Sequence, residues 1–168
     1  MLSLISRVLL IATLFSVTPA LAQTQSAEQD KNPAPRWLVN CNNQANPDTL
    51  ACSMSQSIFR AKTRQRIVSA SIFRSQQDAL LMRLVLPHGL DLTHGVTLAV
   101  DTGSASKYTI NSADANGAYA LIPLNGELIN AMKAGSTAVF GLRNNSGNNI
   151  NLQVSLNGFS SAFAMMNK

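Results

Sequence analysis

The side chains best suited to chemistry lie in one short stretch, LPHGLDLTHGVTLAVD (residues 86–101), which holds both histidines of the chain, His88 and His94, beside Asp91 and Asp101. Two imidazoles and a carboxylate could ligate a metal or exchange protons. A zinc site needs several ligands converging from rigid elements, with partners on the second ring nitrogens. The glycine-containing spacing could deliver His88 and His94, with Asp91 as a third ligand. No HExxH helix or cysteine ligand pair accompanies them, so no metal is predicted. Serines are numerous, yet none occupies a G-x-S-x-G elbow. The 8 acidic residues are scattered along the chain, with no pair marked out for glycoside chemistry. The expectation is no catalytic residue and no cofactor. Scaffold chemistry accounts for the stretch instead: Pro87 and Gly89 end an apolar strand, Leu90 and Leu92 pack under the connection, and Gly95 permits a tight turn into the next strand. Each histidine then sits beside a glycine on an exposed turn.

The elements around this stretch have mostly a period of two. Val68, Ala70 and Ile72 alternate with serines; Leu80, Met82, Leu84 and Leu86 form one apolar face with Arg83 on the other. Val96, Leu98 and Val100 repeat the pattern, as do Ile150, Leu152, Val154 and Leu156. Strands buried on one face, separated by Gly, Asn and Pro turns, predict an all-β chain: an antiparallel immunoglobulin-like β-sandwich. One or two short helices interrupt it. Asn125 caps a predicted helix with Leu128, Ile129 and Met132 on one face and Gly135 as its stop. Phe159, Ala162, Phe163 and Met166 have the spacing of a second amphipathic turn or two, read as a lid over the sandwich. NNSGNN (residues 144–149) reads as a hairpin tip.

At the other end, MLSLISRVLLIATLFSVTPALA has the layout of a secretory signal peptide: Arg7, a short apolar run, and Ala20-Leu21-Ala22 as a cleavage site. The expected organisation is a signal peptide over residues 1–22, a polar leader over 23–35, and one domain over 36–168. No later segment is apolar and long enough to be a transmembrane helix, so export to the periplasm, outer-membrane surface or medium is expected. The net charge of +5, or +4 without Arg7, favours anionic surfaces but is too mild and diffuse for nucleic acid. In an oxidising compartment, Cys41 and Cys52 of CNNQANPDTLAC are expected to form a disulfide. A metal pair or a reactive thiol would want a further ligand or base, and the loop offers only Asn, Gln and Asp48.

The central stretch resembles the P-x-G-x-x-L-x-x-G-V-x-L-x-V-D core of the invasion-associated locus B family of Gram-negative bacteria, through Pro87, Gly89, Gly95, Val96, Leu98 and Asp101. His88 and His94 fall on its variable positions. RWLVNC and ACSMSQS resemble the family's opening W-x-x-x-C and C-x-x-x-Q elements, with Trp37, Cys41, Cys52 and Gln56 in place. LINAMKAG is similar to its short helix. VSLNGFSSAF resembles its closing S-L-x-G-F-x-x-A signature through Ser155, Leu156, Gly158, Phe159 and Ala162. The likeness covers nearly all of residues 36–168 and implies a compact exported β-sandwich, linked with invasion of host cells and without an established reaction. One departure stands out. The family commonly has a second cysteine pair in Y-x-x-C…G-C-x-A, whereas KYTINSADANGAYA keeps Tyr108 and Gly117 and has Asn111 roughly where a cysteine is expected.

The functional expectation is therefore a non-enzymatic exported protein supporting host interaction, virulence or envelope function, whose partner is a protein or an anionic envelope or host surface. The alternative is a periplasmic assembly factor or chaperone that holds another exported protein on a strand edge or groove. For contacts, FRAKTRQR places Arg60, Lys62, Arg64 and Arg66 at every second position. If extended, they project on one side as a candidate anionic-surface site. The other reading is a solvated hairpin end that discourages edge pairing.

Overall fold

The computed structural model describes residues 36–43 and 50–167. The expected signal peptide, the leader and Asp48 lie outside them.

Among the described residues, the alternating segments form ten strands in two antiparallel sheets. β1 (Leu38–Asn42), β2 (Ala51–Phe59), β3 (Arg66–Arg74), β4 (Leu80–Leu86), β7 (Ile110–Asp114) and β8 (Gly117–Pro123) build the larger sheet, in the order β1-β2-β3-β4-β8-β7. β5 (Val96–Val100), β6 (Ser106–Tyr108), β9 (Thr137–Arg143) and β10 (Asn149–Ser155) build the smaller one, in the order β10-β9-β5-β6. Register follows the hydrophobic pattern, because a slip of one residue would turn each apolar set outward. Ile72 lies opposite Met82, and Met82 opposite Ile122, so all three face inward together. Leu98 lies opposite Phe140 on the inner face of the smaller sheet. Met54, Ile72, Met82, Leu84, Ile122, Leu98, Phe140 and Leu142 fill the space between the sheets. The opposite faces carry the serines of β2 and β3 and Arg83, whose guanidinium stacks 5.1 Å from the Phe73 ring centroid.

Two helices close the sandwich. α1 (Gly126–Ala134) links β8 of the larger sheet to β9 of the smaller. Asn125 starts it by accepting the Leu128 backbone N–H at 2.8 Å, and Gly135 follows its last residue. α2 (Phe159–Met166) buries Phe159, Ala162 and Met166 and packs against β1, β2 and α1. Lys133 of α1 lies 4.6 Å from the Phe163 ring centroid, which ties the helices together. The predicted lid is therefore present.

Trp37, just before β1, is only 6% exposed. Its indole stands edge-to-face on Phe159, with centroids 5.2 Å apart, and its Nε1 donates to the Ser155 carbonyl at 2.9 Å. The opening and closing signatures of the sequence thus meet across the two sheets. Beside them, Cys41 and Cys52 face each other in the β1–β2 ladder and are disulfide-bonded.

Candidate functional site

The stretch from Leu86 to Asp101 carries the chain from the larger sheet to the smaller. β4 ends at Leu86, and Asp91 starts a one-turn 3-10 helix, Leu92–His94. Gly95 turns into β5 with a φ of +74°, and a Cβ there would collide with the Tyr108 carbonyl oxygen. Leu90 is buried under the connection as expected. Leu92 is not: it is 42% exposed, because the 3-10 turn rotates it outward where a period of two would have turned it in.

Asp91 is fully engaged by the scaffold. One carboxylate oxygen accepts the Thr93 hydroxyl at 2.6 Å and the Thr93 and His94 N–H groups at 3.2 Å each. The other accepts Arg143 Nη2 at 2.6 Å and Nε at 3.1 Å. The Thr93 hydroxyl, then the Arg143 guanidinium, hold this carboxyl well below the ordinary carboxylate range. Its backbone N–H also donates to the Arg143 carbonyl. Asp91 therefore stitches the connection to β9. Asp101 does the same at the far end of β5. From a left-handed backbone position (φ +50°), it accepts the Thr137 N–H at 2.9 Å and the Ser136 N–H at 3.1 Å, fixing the start of β9.

Neither imidazole joins these carboxylates. His88 is exposed, and its Nε2 lies 3.2 Å from the Ala115 carbonyl oxygen. His94 is half-buried and engages Asp91 through its backbone N–H. Among the described residues, no three His, Cys, Asp or Glu side chains converge as metal ligands. The expected disulfide between Cys41 and Cys52 is formed, so neither is a thiol nucleophile.

Of the two geometries considered for the basic stretch, the structure has the hairpin end and not the extended run. Residues 60–65 are a closed hairpin loop, in which Arg60 N–H donates to Gln65 O and Arg64 N–H to Arg60 O, each at 2.8 Å. Arg64 has a φ of +55°, so its chain direction reverses and the alternation of a strand is lost. Arg60, Lys62, Arg64 and Arg66 are all exposed on this loop and its exit. Arg66 is tethered, since its Nη2 donates to the Asn116 carbonyl at 2.9 Å in the β7–β8 turn. Phe59 adjoins these cations and was not among the expected site residues. It is 55% exposed at the end of β2, where the β2–β3 register shifts between Ile58 and Phe59. The signal was legible as an aromatic directly preceding the cations, on the same outward parity as Ser55 and Ser57 of β2.

Asn111, roughly where a second cysteine pair would begin, occupies the bulge of β7 between Ile110 and Ser112. Its side-chain oxygen accepts the Leu121 N–H of β8 at 3.0 Å. At the hairpin tip, Asp114 accepts the Asn116 N–H at 2.7 Å and the Tyr119 hydroxyl at 2.9 Å. The Asn116 N–H and then the Tyr119 hydroxyl lower the Asp114 carboxyl below its ordinary value, and that carboxylate in turn raises the Tyr119 phenol. Hydrogen bonds hold this hairpin together in place of a covalent staple.

Comparison with known proteins agrees with this architecture. The profile of the Invasion associated locus B (IalB) protein family matches residues 37–167. Two invasion protein B homologs of Brucella abortus, from strain 2308 and from biovar 1 strain 9-941, are each 30% identical over 100 residues, 60% of this chain. The matched region spans 57% of the length of those relatives. The crystal structure of invasion associated protein b from Bartonella henselae superposes with a TM-score of 0.71 at 23% identity, covering 79% of this chain and 91% of that one; it shows the same fold. With the profile running from Trp37 through the α2 lid, the chain belongs to the invasion-associated locus B family.

Proposed function

We infer that this chain is an exported, non-enzymatic β-sandwich of a Gram-negative envelope that supports invasion of host cells through binding, not turnover. The observation that carries the reading is the family match over residues 37–167. The chemistry of the central stretch supports the second half of it. Asp91 and Asp101 are engaged as structural acceptors, and the two imidazoles stand apart from them. The Cys41–Cys52 bond supports export, because such bonds persist in oxidising compartments. Among the described residues no helix is long and apolar enough to cross a membrane.

A deletion strain of the source bacterium, complemented with the wild-type chain, tests the reading in a host-cell invasion assay alongside fractionation into periplasm, membranes and medium. Invasion falls on deletion and returns on complementation, with the chain recovered outside the cytoplasm. Equal invasion by the deletion strain overturns the host role. Turnover on a hydrolase panel that disappears with His88→Ala or His94→Ala overturns the non-enzymatic half.

A further inference from the structure

One end of the sandwich collects positive charge. β3 begins there at Arg66, β4 ends at Leu86 and β8 begins at Gly117. His88 and Arg66 reach the carbonyls of Ala115 and Asn116 in the β7–β8 turn, and the Asn145 N–H of the β9–β10 tip donates to Gly89 O. The β2–β3 loop, the β4–β5 connection and two hairpin tips therefore share this end. Its permanent charges include Arg60, Lys62, Arg64, Arg66, Arg143 and Lys107, whose side chain reaches Gly95 in the β4–β5 connection, against Asp91 and Asp114. Both carboxylates are already engaged, Asp91 by Arg143 and Thr93, Asp114 by Asn116 and Tyr119. No ion pair reaches the four loop cations among the described residues. Phe59, 55% exposed, stands directly before Arg60 and opposite Arg66 in the ladder.

We propose that this end docks on a phospholipid bilayer carrying anionic headgroups, with Arg60, Lys62 and Arg64 on lipid phosphates and the Phe59 ring seated in the interfacial layer. A soluble polyanion would use the cations alone and leave Phe59 in water. An exposed aromatic adjoining unpaired cations is the combination that interfacial binding exploits, through apolar burial and attraction to a negative surface together. The loop is already closed by its own backbone hydrogen bonds, so docking orders little additional chain. Arg66 has a different part: its bond to the Asn116 carbonyl positions the loop exit against the β7–β8 turn. This docking is independent of the invasion reading, since a purified chain and a synthetic vesicle test it without a host cell.

The experiment is sedimentation of the full chain with vesicles of phosphatidylcholine alone or with phosphatidylglycerol added, at low and high salt. Binding is expected with phosphatidylglycerol only, and to weaken with salt as surface charges are screened. Substituting Arg60, Lys62 and Arg64 together by Gln weakens it roughly a hundred-fold, since each basic side chain at an anionic surface contributes about five-fold. Phe59→Ser weakens vesicle binding about ten-fold, by losing buried apolar surface, and leaves binding to inorganic polyphosphate unchanged. All four side chains are exposed, so the variants keep the wild-type melting temperature. Binding that ignores phosphatidylglycerol, or a triple variant that binds like wild type, overturns the proposal. A Phe59→Ser variant that binds vesicles as well as wild type overturns it in favour of a site for soluble polyanions.

Discussion

Replacing Phe159 with alanine removes the ring on which the α2 lid and the β1 approach both rest. The side chain is fully buried, edge-to-face with Trp37 at 5.2 Å and stacked with Phe163 at 5.8 Å. Truncating a buried phenylalanine costs about 3–5 kcal/mol through lost transfer energy and the residual cavity. Part of that is specific to the rings, at about 0.5–1.5 kcal/mol for each aromatic pair. Phe159→Leu keeps most of the apolar volume and forfeits mainly that share, about 1–3 kcal/mol for two pairs. The expected order of stability is wild type, then Phe159→Leu, then Phe159→Ala. Trp37 is the only tryptophan, so its emission reports the site directly, while circular dichroism reports the strands. With a urea slope of about 2 kcal/mol per molar, Phe159→Ala moves the unfolding midpoint down by roughly 2 M in both signals. A shift of less than about 0.5 M at that slope would show that the lid is not part of the cooperative core. A change in native Trp37 emission with an unmoved dichroism midpoint would refute the reasoning too, because the helix would then detach by itself.

Two further outcomes follow from the same structure. Replacing Cys41 and Cys52 with alanine removes a constraint worth about 3 kcal/mol for a loop of this size in the chain-entropy model, lowering the melting temperature by about 10 °C. The wild type in reductant should match the double variant, and a drop of only about 2 °C would mean that the β1–β2 ladder constrains the unfolded ensemble without the bond. Asp91 and Asp114 have carboxyls depressed in the fold, so their contribution is present above the ordinary carboxylate pKa of about 3.9 and is lost as pH falls below it. Urea midpoints taken from about pH 7 to about pH 2.5 should therefore fall on the acid side, and Asp91→Asn should flatten that fall; an unchanged acid limb would deny Asp91 its part in it.

Much of the fold was legible because its signals are local. Alternation in residues 80–86 and 150–156 marks β4 and β10, and Asn125 with Gly135 brackets α1 to the residue. The pairings were not legible, since nothing near Leu84 specifies Ala120 as its partner. Nor does the Trp37 indole announce the Ser155 carbonyl, 118 residues away. Two places where a period of two breaks share a cause. The cations of FRAKTRQR have a strand's period, yet Arg64 takes a left-handed backbone without being glycine, and the loop closes. Leu92 follows the same parity as Leu90, but a 3-10 turn held by Asp91 rotates it out. In both cases local hydrogen bonding overrode a period of two. The turns of the central stretch were easier to read, because Pro87 and the glycines beside the histidines, Gly89 and Gly95, already described them.

Asn111, roughly where the family resemblance implies a cysteine, bears on how this chain holds its charged end. A covalent staple across β7 and β8 would act wherever it lay in the hairpin, whereas hydrogen bonds act only where their geometry is kept. Asn111 keeps it by occupying a bulge, which aims its oxygen at the Leu121 N–H. At the other end of the hairpin, Asp114 binds Asn116 N–H and the Tyr119 hydroxyl, and Arg66 reaches the Asn116 carbonyl from β3. The hairpin is therefore tied at its tip to the strand that leaves the basic loop. That tie joins two regions that look unrelated in sequence, a segment without the second cysteine pair and a run of cations. The same contacts that fix the hairpin tip also fix where Arg66, and with it the exit of the loop, stands. A hairpin without a covalent staple and a defined electropositive end are compatible because one set of hydrogen bonds serves both.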